Sequence, residues 1–291
     1  MQIFRHSSRI AAAGFLGLAW VVAGSAAAQV APGAVPGIFR TFSPPNAQRD
    51  LAPASPGFVR GFREGRDAYR DGKFGVARKF WEGAAQGGDL FSSWQLANMY
   101  RLGRGVPVNH AKAFAYYAKV AAEYRVTPIV TPRTRITVDA IVRLADYFRT
   151  GIKKTNIRQD PVRAYRLYHM AATHFGHPRA QFMLGEMYLR GEVVKKSIGR
   201  AMRWYLLAAR KRHAPAQAAL GRLYQRGEGV RKDTARALMW YTLAKENMRR
   251  SGDLRIAESY EVLYEASDTK QRDKVKKLVS AWNGKFGRGP Q

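Results

Sequence analysis

The sequence predicts an all-α fold, a right-handed α-solenoid of about five helical hairpins closed by a C-terminal helical cap. The first observation is a repeat: alanine, leucine-glycine, tyrosine, glycine and an aromatic pair recur at an offset of about 36 residues, as in helical solenoids. The second is that the apolar residues of each copy lie three and four positions apart, as on one face of a helix. One such hairpin cannot bury its apolar face alone, so the hairpins must stack.

The repeat is clearest in its last two copies, which begin at Ala180 and Ala216. Each copy predicts two amphipathic helices, A and B. Small residues let neighbouring helices approach closely, and the Trp-Tyr pairs fill the space between hairpins. Weaker copies predict three earlier hairpins, which are marked by Tyr69 and Trp81, by Tyr100 and Tyr117, and by Phe148 and Tyr168.

The N-terminus predicts export. Arg5 and Arg9 precede an apolar run at residues 10–23, and small residues of the kind that a signal peptidase needs follow this run. We therefore expect a signal peptide at residues 1–28 and a periplasmic mature protein, with a retained membrane anchor as the alternative. Residues 29–57 are rich in proline and lack periodicity, which predicts a flexible linker.

The hairpins are expected to fill residues 58–247, with one interruption at residues 123–137. Pro128 and Pro132 cannot continue a helix, and nearby arginines keep the segment polar, so a surface insertion is predicted. At residues 248–291 the pattern lapses into two plainer helices and a tail. These helices are interpreted as a cap, because the terminal unit of a solenoid turns one face to water.

The composition is strongly basic, with 50 Lys and Arg against 21 Asp and Glu and a formal net charge of +29. This balance predicts attraction to acidic partners without naming one. The absence of cysteine excludes disulfides, thiolate zinc sites and thiol nucleophiles. The hydrolase and zinc-protease motifs and paired carboxylates are also missing from the sequence, so we predict a non-enzyme without cofactor or metal.

Three histidines, His169, His174 and His177, lie close together in the sequence. Their spacings of five and three do not place all three on one helical face, and no acidic residue stands among them, which disfavours a metal site. Imidazole titrates in the mildly acidic range, so a pH-responsive role and ordinary packing both remain open.

The fifth copy, from Ala216 to Ala244, contains alanine, leucine-glycine, tyrosine, a Gly-x-Gly-Val turn, aspartate and Trp-Tyr in this order. It resembles the Sel1-like repeat (SLR), a relative of the tetratricopeptide repeat (TPR). The other copies depart from the pattern where Gly65 replaces the helix A leucine, Asn109 the turn aspartate and Val193 the second turn glycine. The resemblance implies SLR/TPR-like helix hairpins that serve as a scaffold for protein partners.

Three further stretches, Gly61-Phe62-Arg63 and the runs at residues 146–152 and 174–181, resemble the ExoR family of rhizobial periplasmic exopolysaccharide regulators. This resemblance implies binding to the periplasmic sensing domain of a membrane histidine kinase, which is held inactive. It also implies that acid or a periplasmic protease removes the inhibitor, and that exopolysaccharide and virulence genes respond.

Alignment to tetratricopeptide geometry turns helix A of each hairpin toward a concave groove. An arginine stands near the end of every helix A, which predicts an arginine ladder for a partner. The alternative is that these arginines only complement the helix dipole. The predicted groove residues are Arg70, Trp94, Asn98, Arg101, Asp146, Arg149, Phe182, Glu186, Arg190, Arg222 and Arg226.

We therefore expect an exported interaction scaffold that inhibits a sensor histidine kinase and represses exopolysaccharide-type genes. The alternative is a basic periplasmic scaffold that binds an acidic envelope polymer or an anionic membrane surface. Nucleic acid is not an expected partner because the protein is predicted to be exported. The salt dependence of binding distinguishes the two functions. Affinity from polyelectrolyte attraction falls steeply as ionic strength rises, whereas the affinity of a packed protein interface survives in part.

Overall fold

The computed structural model describes residues 56–124, 131–248 and 254–287. Every element in these ranges is a helix and none is a strand, which confirms the predicted all-α class. The expected signal peptide and most of the linker lie outside the described residues. No described helix is both long and apolar enough to cross a membrane. The helices are α1 (Pro56–Arg70), α2 (Phe74–Gln86), α3 (Leu90–Leu102), α4 (His110–Ala122), α5 (Pro132–Thr150), α6 (Pro161–His174), α7 (Pro178–Arg190), α8 (Ile198–Arg210), α9 (Ala214–Arg226), α10 (Thr234–Asn247), α11 (Leu254–Glu265) and α12 (Thr269–Phe286).

The first ten helices form five hairpins, in which an odd-numbered A helix packs against the B helix that follows it. Each B helix also packs against the A helix of the next hairpin, so contacts run mainly between neighbours along the chain. Helices α11 and α12 both pack against α10 and cover the end of the stack. The structure is therefore a helical solenoid with a C-terminal cap, as predicted.

The core explains the small and large residues of the repeat. Each B helix buries at least one large aromatic ring, and in the fourth and fifth hairpins the ring that packs against helix A is Tyr205 or Tyr241. Helix A leaves room for the ring with a glycine. A Cβ on Gly185 would lie 2.4 Å from the ring of Tyr205, and one on Gly221 would lie 3.1 Å from Tyr241. Buried alanines occupy the matching positions of α3 and α5.

The first hairpin uses the same device with one change of register. In the sequence alignment Gly65 replaces a leucine, but in the structure it has the role of Gly185. A Cβ on Gly65 would lie 2.4 Å from Nε1 of Trp81, which is fully buried. The indole Nε1–H donates to the carbonyl oxygen of Phe62 at 3.3 Å. The wider tryptophan ring is thus the physical reason for the displaced glycine.

The ends of the helices follow from local chemistry. Helices α3, α7 and α9 each end at a glycine in the left-handed conformation. The B helices α4, α6, α8 and α10 begin at a side-chain cap, and Asn109 caps α4 as Asp233 caps α10. Val193 occupies the position where other copies of the repeat have the second turn glycine. Its φ is 67°, a conformation that β-branched residues rarely adopt.

The predicted insertion at residues 123–137 is helical from Pro132 onward, and residues 125–130 lie outside the described residues. Helix α5 begins at Pro132, where proline occupies the first turn and Thr131 forms a capping box with Thr134. The end of the predicted insertion is therefore helical, and Ile136 is buried within it. The expectation that Pro132 interrupts a helix was wrong because proline is well accommodated in the first turn of a helix.

The cap is held to the last hairpin by aromatic contacts. Trp282 of α12 packs edge-on against Trp240 of α10, with 4.6 Å between ring centroids, and against Phe286. Val275 and Ile256 are the buried residues of α12 and α11. Helix α12 is capped by Asp268, at the start that the sequence predicted.

Candidate functional site

A row of polar residues on the A helices is fixed by the buried tyrosines of the B helices. In helix A of hairpins two to four, a leucine is followed by a small residue, alanine or glycine, and the next residue accepts a hydrogen bond from the tyrosine hydroxyl. We call this arrangement the tyrosine–acceptor row. The bonds join Tyr117 to Asn98 (2.8 Å), Tyr168 to Asp146 (2.7 Å) and Tyr205 to Glu186 (2.6 Å).

Burial keeps the tyrosines of this row protonated. Burial first, and then the adjacent carboxylate, raises the pKa of Tyr168 and of Tyr205 far above the ordinary value. The hydroxyls of Tyr168 and Tyr205 are therefore protonated at neutral pH, and they donate to Asp146 and Glu186 and orient them. Three of the predicted groove residues are thus held in place from beneath.

A hydrogen bond and ion pairs join the three A helices α3, α5 and α7, and we call this group the central cluster. Trp94 of α3 donates to Oδ2 of Asp139 on α5 at 2.8 Å. Asp146 lies about two helical turns further along α5 and pairs with Arg179 of α7 at 3.0 Å. Arg143 stands between the two aspartates, at 3.5 Å and 3.7 Å.

Sequence reasoning found Trp94 and Asp146 of this cluster but missed Asp139, Arg143 and Arg179. Asp139 and Arg143 lie seven and three positions before Asp146, so the helical period could have placed them on its face. Arg179 carried no such signal, because its position opposite Asp146 depends on how α7 packs beside α5.

The predicted arginines have different surroundings. Arg101 donates to the hydroxyl of Tyr117 at 3.1 Å and to Asn98 at 3.3 Å, so it belongs to the tyrosine–acceptor row. The Nε atom of Arg149 is buried without a hydrogen-bond partner among the described residues. Arg70 stands apart in the first hairpin, where it pairs with Asp67 at 3.6 Å. All three lie in the last turn of an A helix, so the dipole explanation remains open beside the ladder.

The remaining predicted residues meet at the C-terminal end, in a cavity of about 430 Å³ between α7, α9 and α11. We call it the terminal cavity. Its lining includes Phe182, Glu186, Arg190, Arg222 and Arg226, all of which were predicted. The structure therefore brings these five residues together. The contribution of α11 was not foreseen, because the cap lies outside the repeat pattern.

The predicted histidines do not form one group. His169 of α6 packs between Tyr165 and Trp204, with ring centroids 5.8 Å and 6.4 Å away, and burial lowers its pKa. His174 is the last residue of α6. Only His177 reaches the central cluster, 3.9 Å from Asp139. In the part of the chain that the structure describes, no group of histidine and acidic residues is arranged to hold a metal.

Sequence reasoning missed His213, which occupies the position of His177 one repeat later in the chain. Both histidines precede the first residue of an A helix. Burial, reinforced by Arg179 and His177, lowers the pKa of His213 to about 4. Burial also lowers the pKa of His177, although Asp139 opposes the shift. The repeat offset of about 36 residues could have identified this second histidine.

Comparison with known proteins agrees with this architecture. The Sel1 repeat family matches residues 91–123, 138–174, 178–213 and 214–247. A solved Sel1 repeat protein from Oxalobacter formigenes superposes with a TM-score of 0.56 at 25% identity, and covers 86% of this chain and 93% of that one. The first hairpin lies outside the family match, although it is built in the same way.

Two relatives carry the name exopolysaccharide production negative regulator. The protein of Rhizobium meliloti (strain 1021) is 39% identical over 153 residues, and that of Rhizobium leguminosarum bv. viciae is 38% identical over 150 residues. Each match covers 52% of this chain and 55% of the relative, so the chain spans about half the length of the relatives it matches. The hairpins between residues 91 and 247 match the Sel1 repeat family, so this part of the chain consists of Sel1 repeats.

Proposed function

We propose that the protein is an exported inhibitory regulator, which binds the periplasmic sensing domain of a membrane histidine kinase and thereby represses exopolysaccharide genes. The regulator names of its two relatives support a regulatory role. The Sel1 repeats support a scaffold that binds a protein, in place of an enzyme. The export signal expected at residues 1–28 supports a periplasmic site of action.

The observation that carries this proposal is the organisation of the groove. The carboxylates of the row and of the central cluster already accept hydrogen bonds or ion pairs from neighbouring side chains. Arg149 and Arg222, in contrast, are surplus donors on A helices. The Nε atom of Arg149 is buried without a hydrogen-bond partner among the described residues, and Arg222 shares its ion-pair partner Glu186 with Arg190. A rigid groove with surplus positive charge fits an acidic surface on a protein partner, and it accelerates association with that surface.

The direct test is binding of the purified protein to the purified periplasmic domain of the sensor kinase, together with a reporter for exopolysaccharide genes in living cells. Arg101→Glu combined with Arg149→Glu should weaken binding at least about tenfold and raise reporter expression, because like charges then face each other across the interface. Deletion of the gene should also raise expression of the exopolysaccharide reporter.

The matched control is Arg166→Glu combined with Arg203→Glu. These two exposed residues occupy the same position of helices α6 and α8, and their reversal removes the same net charge. Arg163 is a poorer control because it pairs with Asp160 at 3.4 Å and stacks on Phe148. Wild-type expression in the deletion strain, or equal losses in both pairs of variants, would contradict the groove as the binding surface.

The second candidate function is binding of an acidic envelope polymer or an anionic membrane surface. One feature outside the groove favours it, since Lys270, Lys274 and Lys277 lie at helical spacing on the exposed side of α12. Binding of this kind should fall steeply as salt rises, whereas a packed protein interface should retain much of its affinity. Measurement at low and high salt therefore separates the two functions.

A further inference from the structure

The tyrosine–acceptor row is interrupted in the fifth hairpin. Hairpins two to four place an oxygen acceptor at this position of helix A. The fifth hairpin places Arg222 there, and a guanidinium has donors but no acceptor. Tyr241 donates instead to Oε1 of Gln225, at 3.0 Å. The position that supplies an acceptor in the other hairpins thus supplies a donor in this one.

The protein provides Arg222 with little anionic charge. Among the described residues its ion-pair partner is Glu186, at 3.8 Å. That carboxylate is already engaged, because Oε1 accepts from Tyr205 at 2.6 Å and Oε2 accepts from Arg190 at 2.8 Å. The side chain of Arg222 is 42% exposed, so its remaining donors face the terminal cavity.

The lining of the terminal cavity is positively charged on one side and apolar on other parts. Arg222, Arg190 and Arg226 give one wall a positive charge. Arg190 also pairs with Glu186 at 2.8 Å and with Glu192 at 3.5 Å, and Arg226 pairs with Glu228 at 3.4 Å. Phe182, Ile256 and the alanines of α9 provide apolar surface on the other parts of the lining. A volume of about 430 Å³ lies within the range of sites that enclose a small ligand or a few side chains.

We propose that the terminal cavity binds an acidic side chain of the partner protein, an aspartate or glutamate that stands beside an apolar residue in an extended segment. Arg222 is the principal donor, because a guanidinium holds a carboxylate through two parallel hydrogen bonds. The apolar neighbour packs against Phe182 and Ile256. The inference rests on the proposed function, since it identifies the feature of the partner that the groove recognises.

The test uses a short labelled peptide in which leucine and glutamate alternate and both ends are blocked. Fluorescence anisotropy with the purified protein should detect its binding, and the same peptide with glutamine in place of glutamate should bind at least about tenfold more weakly. Inorganic phosphate serves as a competitor. Competition by phosphate as strong as that by free glutamate peptide would overturn the inference, because the site would then bind anions without recognising a peptide.

Two variants locate the binding. Arg222→Gln should lower affinity for the glutamate peptide at least about tenfold, and Arg222→Glu should abolish binding while it restores an acceptor at the row. The control Arg203→Gln removes the same charge from the exposed side of α8 and should change affinity less than about twofold. Circular dichroism reports whether each variant is folded. Unchanged affinity in a folded Arg222→Glu variant would overturn the inference.

The peptide assay contains no kinase, so it judges the terminal cavity independently of the proposed function. Binding of the kinase domain that is insensitive to Arg222→Glu would preserve the proposed function and refute the cavity as the recognition site. Peptide binding that depends on Arg222, in a protein that does not bind the kinase domain, would preserve the acidic-peptide site and refute the kinase as its partner.

Discussion

The replacement of Gly185 by alanine tests how the A and B helices interlock. The new Cβ would lie 2.4 Å from Cε1 and 2.5 Å from Cδ1 of Tyr205. This ring is fully buried, and its hydroxyl is held by Glu186 at 2.6 Å, so it has little room to move. Overpacking of this kind costs about 1–3 kcal/mol, whereas alanine gains about 1 kcal/mol over glycine within a helix. We expect a net loss of up to about 2 kcal/mol of unfolding free energy.

The control is Gly83→Ala in the interior of α2, where a Cβ would meet nothing within 4 Å. Here only the helix preference acts, so a gain of about 0.5–1 kcal/mol is expected. Gly221→Ala should fall between the two, because its Cβ would lie 3.1 Å from Tyr241. Urea unfolding followed by circular dichroism measures all three. If Gly185→Ala were as stable as Gly83→Ala, the close approach of α7 and α8 would be refuted.

Two further predictions concern charge and strain. The pKa of His213 is about 4 in the folded state and 6.5 in the unfolded state, so the unfolded chain binds more protons between these two values. The contribution of His213 to stability is therefore full above pH 6.5, and the unfolding free energy falls toward pH 4 by up to about 3 kcal/mol. Urea unfolding across this range should show a shallower decline in His213→Gln, and an unchanged slope would contradict the assignment. Val193→Gly should raise the unfolding free energy by about 1 kcal/mol, because φ is 67° and the valine is largely exposed. A lower unfolding midpoint in thermal denaturation would show that the valine is not strained.

The sequence was sufficient to predict the hairpins because the residues that determine each hairpin lie within one repeat. Within one repeat, the spacing of leucine, glycine and tyrosine records which face each helix buries, and the recurrence of the pattern shows that the same packing is used again. Pro132 was misjudged because proline has opposite effects in the first turn and in the interior of a helix. The residues that follow it decide between these effects, and they show the apolar spacing of α5.

The contacts between hairpins were harder to anticipate. Trp94 meets Asp139, 45 residues later in the chain, because α3 and α5, the A helices of successive hairpins, are in direct contact. The angle between successive hairpins sets this approach, and the repeat period does not encode that angle. The terminal cavity also depends on α11, which contacts the last hairpin from outside the repeat pattern. Helical faces were therefore predictable, whereas partners across helices required the structure.

The tyrosine–acceptor row has a consequence for how such a protein can diversify. Each hydrogen bond from a tyrosine of the row lies within one hairpin, so a change of acceptor leaves the packing of the buried ring intact. Asp146 and Glu186 also pair with Arg179 and Arg222 of the next hairpin, so their replacement changes these ion pairs as well. Three hairpins of this chain use asparagine, aspartate and glutamate there, and the fifth uses Arg222. Substitution of one such residue alters the groove charge by up to two units while the buried ring stays in place. The charge that the A helices present can therefore change one hairpin at a time, while the buried rings that hold each hairpin together stay the same.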